Sequence, residues 1–159
     1  MADAHCGRRA DAMDCFQDWV SPIPELIEAT DDGILRNDIV DRRPLKSWGK
    51  GRITLLGDAA HPTTPNLGQG ACQAIEDAVA LAHCLGQGGD AESALRSYEE
   101  SRIPRTTAIT KKSLRVGIVG QLENPLACAL RNAMIRITPS VISLRFMESI
   151  LRNDAPDLP

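Results

Sequence analysis

Aromatic residues are scarce in this chain, at 3% of its 159 residues, so it offers no row of stacking rings for single-stranded nucleic acid. An excess of positive charge is also missing. Eighteen basic residues stand against 21 acidic ones, a formal net charge of −3, which gives no general attraction to nucleic acid or to an anionic membrane. No apolar stretch approaches the roughly 18 to 20 residues of a membrane span, and no basic segment followed by an apolar run opens the chain. A cytoplasmic protein is the expectation. The five cysteines, Cys6, Cys15, Cys72, Cys84 and Cys128, are odd in number and include no Cys-x-x-Cys pair, which fits reduced thiols rather than a disulfide framework. His5, Cys6 and Cys15 lack the second close pair that would complete about four ligands, so no metal site is expected. Cys72, Cys84 and Cys128 fall in apolar helical patterns and read as small buried hydrophobes.

What is present is 43% hydrophobic residues, enough for one ordinary core: a single domain, or part of a larger one. Met1 to about Asp11 is polar and aperiodic. A short helix is expected from Ala12 to Val20, with Phe16, Trp19 and Val20 sharing a face, and a second turn after Pro22 and Pro24 through Ala29. Asp31-Asp32-Gly33 reads as a turn, and the partial alternation from Ile34 to Arg42 as a strand. Ile53 to Leu56, bounded by glycines, reads as a strand covered on both faces. Ala71, Ala74, Ile75, Ala78, Leu81, Ala82 and Leu85 recur at helical spacing up to Gly86 and form the expected inner face. Asp90 caps the next helix, whose inner stripe is Ala94, Leu95 and Tyr98, with a kink or break at Ile103-Pro104. Helix resumes over Thr106 to Val116. Asn124-Pro125 starts a helix from Leu126 to Thr138, Pro139-Ser140 starts another from Val141 to Leu151, and Asp154 to Pro159 is a disordered tail.

The chemistry concentrates in Ile53-Thr-Leu-Leu-Gly-Asp-Ala-Ala-His-Pro-Thr-Thr-Pro-Asn-Leu-Gly-Gln-Gly70. A strand that turns at Gly57 delivers Asp58 to a sheet's carboxyl edge, where open sheets bind ligands. Its carboxylate is suited to accept hydrogen bonds from sugar-like hydroxyls; equally, it could cap the turn by accepting the Ala60 or His61 amide. Pro62 and Pro65 stiffen the loop. Gly68 and Gly70 carry no Cβ, so the amides of Leu67 through Ala71 can approach a ligand at the start of a helix. That helix end contributes a partial positive charge worth about 0.3 to 1 kcal/mol. A glycine-bounded turn of no function has the same local pattern. His61 near Asp58 suggests a triad, but no Gly-x-Ser-x-Gly elbow accompanies it. Glu76 and Asp77, about 100° apart on a helix, do not face one another and read as surface or local hydrogen-bond partners. Arg102-Ile-Pro-Arg105 and Lys111-Lys112 read as a solvated basic face.

As an ordered whole, this block resembles the second flavin-binding motif of the FAD-dependent aromatic hydroxylases, the group A monooxygenases built like p-hydroxybenzoate hydroxylase. The likeness extends to Phe16 to Thr30, Leu35-Arg-Asn-Asp38, Asp41-Arg42, Trp48 to Asp58 and Tyr98-Glu-x-x-Arg102, with the FAD-dependent urate hydroxylases as the nearest branch. It implies that Gly57 and Asp58 hold the ribityl chain of FAD, and that Pro65 lies by the reactive edge of the isoalloxazine. Asn66, Leu67, Gly68, Gln69, Gly70 and Ala71 would line the pyrimidine side. No catalytic residue is assigned. The family's opening Gly-x-Gly-x-x-Gly turn has no counterpart here, since Gly49-x-Gly51 precedes a strand and Gly86-x-Gly88 follows a helix. The chain is therefore expected to be the carboxyl half of such an enzyme.

The implied fold is α/β, helix-rich with a few strands. The expected division is residues 1–45 from the substrate-domain sheet and helices, 46–90 as the flavin-binding strand-loop-helix, 91–153 as carboxyl-terminal helices, and 154–159 as tail. The implied activity is hydroxylation of an aromatic or purine-like small molecule using NAD(P)H and oxygen, in company with an amino-terminal half and with homo-oligomers as a further form. The competing expectation is a non-catalytic helical interaction module or decayed remnant that binds no cofactor.

Overall fold

The computed structural model describes residues 7–31, 33–35 and 38–152. The expectations for His5 and Cys6, for Asp32 in its turn, for Arg36 and Asn37 in the first strand and for the tail from Asp154 lie outside them. The chain divides into two compact units, residues 1–39 and 40–159.

In the first unit, α1 spans Gly7–Phe16 and α2 spans Ile23–Glu28. Helix thus begins earlier than the apolar spacing suggested and ends before Trp19. Past Phe16 the chain turns, with the Trp19 amide donating to the Phe16 carbonyl at 3.0 Å. The two rings meet edge to face, their centroids 5.0 Å apart, a favoured aromatic geometry. The Arg9 guanidinium donates to the Thr30 carbonyl just past α2.

The second unit is built on α3 (Gly70–Gly86) and α4 (Ala91–Gly120), followed by α5 (Pro125–Ile137) and α6 (Ser140–Leu151). Asp90 caps α4 by accepting the Ser93 amide at 3.0 Å, and Asn124 caps α5 by accepting the amides of Leu126 and Ala127. Pro104 does not break α4, which runs 30 residues through it. A proline inside a helix costs about 3 kcal/mol. Here it is flanked by Arg102 and Arg105, both bonded to carboxylates of α3, and these bonds hold the helix on either side. The buried stripe accordingly continues from Leu95 and Tyr98 past the proline to Thr106, Ile109, Ser113 and Gly117.

Among the described residues, no strand forms in Ile34 to Arg42 or in Ile53 to Leu56, where strands were expected. Among the described residues the one β feature is an isolated bridge between Lys50 and Ile53. The second segment is extended at Leu56 (φ −141°, ψ 146°), but a ladder needs a neighbouring strand. Helix α4 supplies donors instead: Arg96 to the Ile53 carbonyl and Tyr98 to the Leu55 carbonyl. Ile53 remains 72% exposed, which contradicts burial on both faces.

Trp48, Ala60, Ala80 and Tyr98 form the core, ringed by Leu45, Leu55, Leu81, Cys84 and Ile103. The face that α3 turns inward is only partly its apolar stripe: Leu81 and Cys84 pack against the core, beside a polar row. Gln73, Asp77 and Ala80 are the buried residues, while Ile75 and Leu85 are 66% and 48% exposed. A helix can bury such a face only when each polar group meets a partner, and α4 provides them.

Candidate functional site

Gly57 begins a 3-10 turn, Gly57–Ala59, at φ +59°, and a Cβ there would lie 3.1 Å from the Ala74 Cβ. A side chain would therefore be both strained and crowded against α3. The Ala60 and His61 amides donate to the Gly57 carbonyl at 2.8 and 2.9 Å. Asp58 is thus spared from capping its own turn. Its carboxylate is exposed and has no hydrogen-bond partner among the described residues. Arg42 donates to the carbonyls of Ala59 and Ala60, fixing the turn from another side.

A second 3-10 turn, Pro65–Leu67, ends at Gly68 in the left-handed region at φ +63°, a conformation that costs an L-residue about 1 to 2 kcal/mol. The chain then enters α3. Bonding in that helix starts with the Gln73 amide donating to the Gln69 carbonyl at 2.9 Å, and no side chain caps it. The amides of Gly70, Ala71 and Cys72 consequently emerge unpaired. A Cβ on Gly70 would stand 3.9 Å from Asp58 Oδ1, so the bare carboxylate and the bare helix end are immediate neighbours.

Behind this surface lies a buried ionic network that sequence reasoning did not find. Asp77 on α3 is fully buried. One of its oxygens accepts the Gly57 amide at 3.0 Å and His61 Nε2 at 2.6 Å; the other accepts Arg102 Nε at 2.7 Å. Arg102 also donates to Glu76 at 2.8 Å and to the Gln73 side chain at 2.9 Å, and Arg105 donates to both Glu76 oxygens. Burial alone pushes the Asp77 carboxyl up; bonds from His61, Arg102 and the Gly57 amide outweigh it and hold the group below the ordinary carboxylate range. Glu76 is likewise raised by burial and lowered further by Arg105 and Arg102, with the same net direction. Burial, and then the Asp77 charge, push the Tyr98 phenol up.

The structure corrects several expectations. Arg102 is buried and Arg105 half-buried, so they are not a solvated basic face: their charges complete carboxylates on the facing helix. Glu76 and Asp77, though adjacent, join one network through Arg102, with Arg105 on Glu76. His61 pairs with Asp77, not Asp58, and its Nδ1 is buried without a partner among the described residues. Cys72 is exposed, Cys84 is half-buried against the core, and Cys128 is half-buried on α5, which turns most of its apolar residues outward. Gln73 and Asp77, polar residues at helical spacing in a helix of mostly apolar residues, were the available signal.

The donor and acceptor set suits a ligand that offers hydroxyls on one side and electron-rich ring atoms on the other. Unpaired hydroxyl acceptors and helix-terminal amides beside glycines at a loop-to-helix turn are features found at nucleotide-cofactor sites. A family of FAD binding domains matches residues 36–113. Aurachin C monooxygenase/isomerase of Stigmatella aurantiaca is 46% identical over 86% of this chain and 36% of its own length. Chloroplastic zeaxanthin epoxidase of Nicotiana plumbaginifolia is 46% identical over 71% of this chain and 17% of its own length. The structure of Klebsiella pneumoniae HpxO complexed with FAD and uric acid superposes with a TM-score of 0.82 at 33% identity, covering 95% of this chain and 39% of that one. The chain thus carries a match to FAD binding domains and is similar, over part of their length, to FAD-dependent monooxygenases. It spans less than two-fifths of the length of these relatives.

Proposed function

We propose that this chain forms the isoalloxazine and ribityl wall of the FAD site in a monooxygenase that acts on an aromatic or purine-like ring. When bound, FAD reduced by NAD(P)H supplies the activation of oxygen from which one atom is inserted into the substrate. The residues of this chain bind and orient. Asp58 accepts from the ribityl hydroxyls, with Gly57 letting the turn sit close on α3. Gly68, Gln69, Gly70 and Ala71 present amides to the pyrimidine edge, where the positive end of α3 favours the negative charge of a reduced flavin. Pro65 and Leu67, held in one 3-10 turn, border the ring. Turnover needs a complementary amino-terminal half carrying the rest of the FAD site.

The observation that carries this reading is the partnerless Asp58 carboxylate next to the uncapped start of α3. Titration of the purified chain with FAD, followed by quenching of flavin fluorescence, tests it. Saturable binding is expected, weakened about tenfold or more by Asp58→Ala, since a hydrogen bond to a charged group contributes about 1.5 to 3 kcal/mol. No binding at millimolar FAD, or equal binding by the variant, would count against it.

A second reading has its own support. Leu126, Leu130, Ile137, Val141 and Leu144 are each more than half exposed on α5 and α6, and a surface of this kind favours association. A colourless oligomer without flavin absorbance would make the chain an interaction module.

A further inference from the structure

The loop that carries Pro65 is tied to α4 by side chains for which the flavin site itself has no use. Thr63 Oγ1 donates to the His61 carbonyl at 2.8 Å, which spends its one proton, so the 3.0 Å contact with Thr110 Oγ1 has Thr110 as donor. Thr64 Oγ1 donates to Ser113 Oγ at 2.9 Å while Ser113 Oγ donates back to the Thr64 carbonyl at 2.6 Å. Asn66 Nδ2 donates to Thr64 Oγ1 at 3.0 Å and to the Ser113 carbonyl at 3.1 Å. The Asn66 side-chain amide therefore turns toward α4. Its seat exists because residue 117 is glycine: a Cβ there would lie 3.0 Å from Asn66 Cγ and closer still to Nδ2. Gly117 is at φ < 0 inside a helix, so neither backbone conformation nor helix propensity asks for glycine at that position, and alanine would be the better helix former.

We propose that Asn66 and Gly117 are a latch, positioning residues that act from α4 to fix the Pro65–Leu67 turn and, through Gly68, the amides that enter α3. What the latch positions is the wall of the flavin site, so its functional meaning rests on the flavin reading above. Thr110, Ser113 and Gly117 lie on one buried face of α4, so the latch couples this helix to the cofactor wall without touching the cofactor.

Amide relaxation in the full chain tests the latch, with wild type, Gly117→Ala, Asn66→Ala and the double variant each measured with and without FAD. In wild type, order parameters for Thr63, Thr64 and residues 66 to 68 are expected near the rigid value of about 0.85; either single substitution should drop them below about 0.6. The double variant should match the singles, because each removes the same contact. FAD affinity should fall by about tenfold in each. A residue serving only the helix would behave differently: Gly117→Ala would then stiffen α4 and leave residues 63 to 68 and the FAD affinity unchanged, which overturns the proposal. Asn66→Ala, at an exposed position, carries the same comparison if Gly117→Ala does not fold. Should wild type bind no FAD, the flavin reading fails by itself, and the relaxation of the flavin-free chains still decides the latch.

Discussion

Replacing Asp77 by alanine is the sharpest single test of how the site is supported. The side chain is fully buried and accepts three bonds, from His61, Arg102 and the Gly57 amide. Truncation leaves an arginine that is itself buried with one of its two carboxylates gone, and it leaves an orphaned amide at a glycine in a positive-φ turn. Breaking a buried ion pair by removing one partner costs about 3 to 5 kcal/mol. Replacing both members avoids the uncompensated charge. Asp77→Ala should therefore lower unfolding free energy by about 3 to 5 kcal/mol in urea titrations followed by far-ultraviolet circular dichroism. For a chain of this length that corresponds to a melting point lower by roughly 6 to 20 °C. Adding Arg102→Met to Asp77→Leu should recover part of the loss, giving a coupling energy of 1 kcal/mol or more, about the scale of residues in one network. A loss below about 1 kcal/mol for Asp77→Ala, or strict additivity in the pair, would refute the idea that this network holds the Gly57 turn on α3.

Acid should destabilise the fold through the same groups. Asp77 and Glu76 have folded-state pKa values held below their unfolded ones, so their contribution is complete above the unfolded carboxylate range near pH 4 and is lost as pH falls through the folded values. The urea midpoint should drop between about pH 4 and pH 2, less steeply in a Glu76→Gln variant; a midpoint flat across that range would contradict it. Gly68→Ala meets open space but a positive φ, so a cost of about 1 to 2 kcal/mol is expected from conformation alone, with weaker flavin binding read by the same fluorescence titration. Unaltered stability in that variant would mean that the turn relaxes freely.

Much of the helical layout was legible because helix ends have local chemistry. Asp90 and Asn124 cap where they were expected to, and Gly86 closes α3. The strands were not legible in the same way: the Ile53 run has the composition of a buried strand, but strand formation depends on a partner at a distance, and here Arg96 and Tyr98 occupy its acceptors. Of the kink or break expected at Pro104, the break is absent, because the two arginines that flank it hold the helix to α3. The inward face of α3 was assigned by hydrophobicity alone, which cannot register that Gln73 and Asp77 find partners 25 to 29 residues further along the chain. For the site, the order of residues from Gly57 to Ala71 carried the family likeness, while the placement of Asn66 against Gly117 depends on packing that no local pattern announces.

If the Asp58 turn and the start of α3 grip one flavin, both must respond to it as a unit. Titrating the isotope-labelled chain with FAD while following backbone amide shifts reads this residue by residue. Gly57, Asp58, Leu67, Gly68, Gly70 and Ala71 should move together along one binding curve, and Asp58→Ala should displace that curve for all of them. Movement of the two segments at different FAD concentrations, or shifts confined to α5 and α6, would contradict a shared grip.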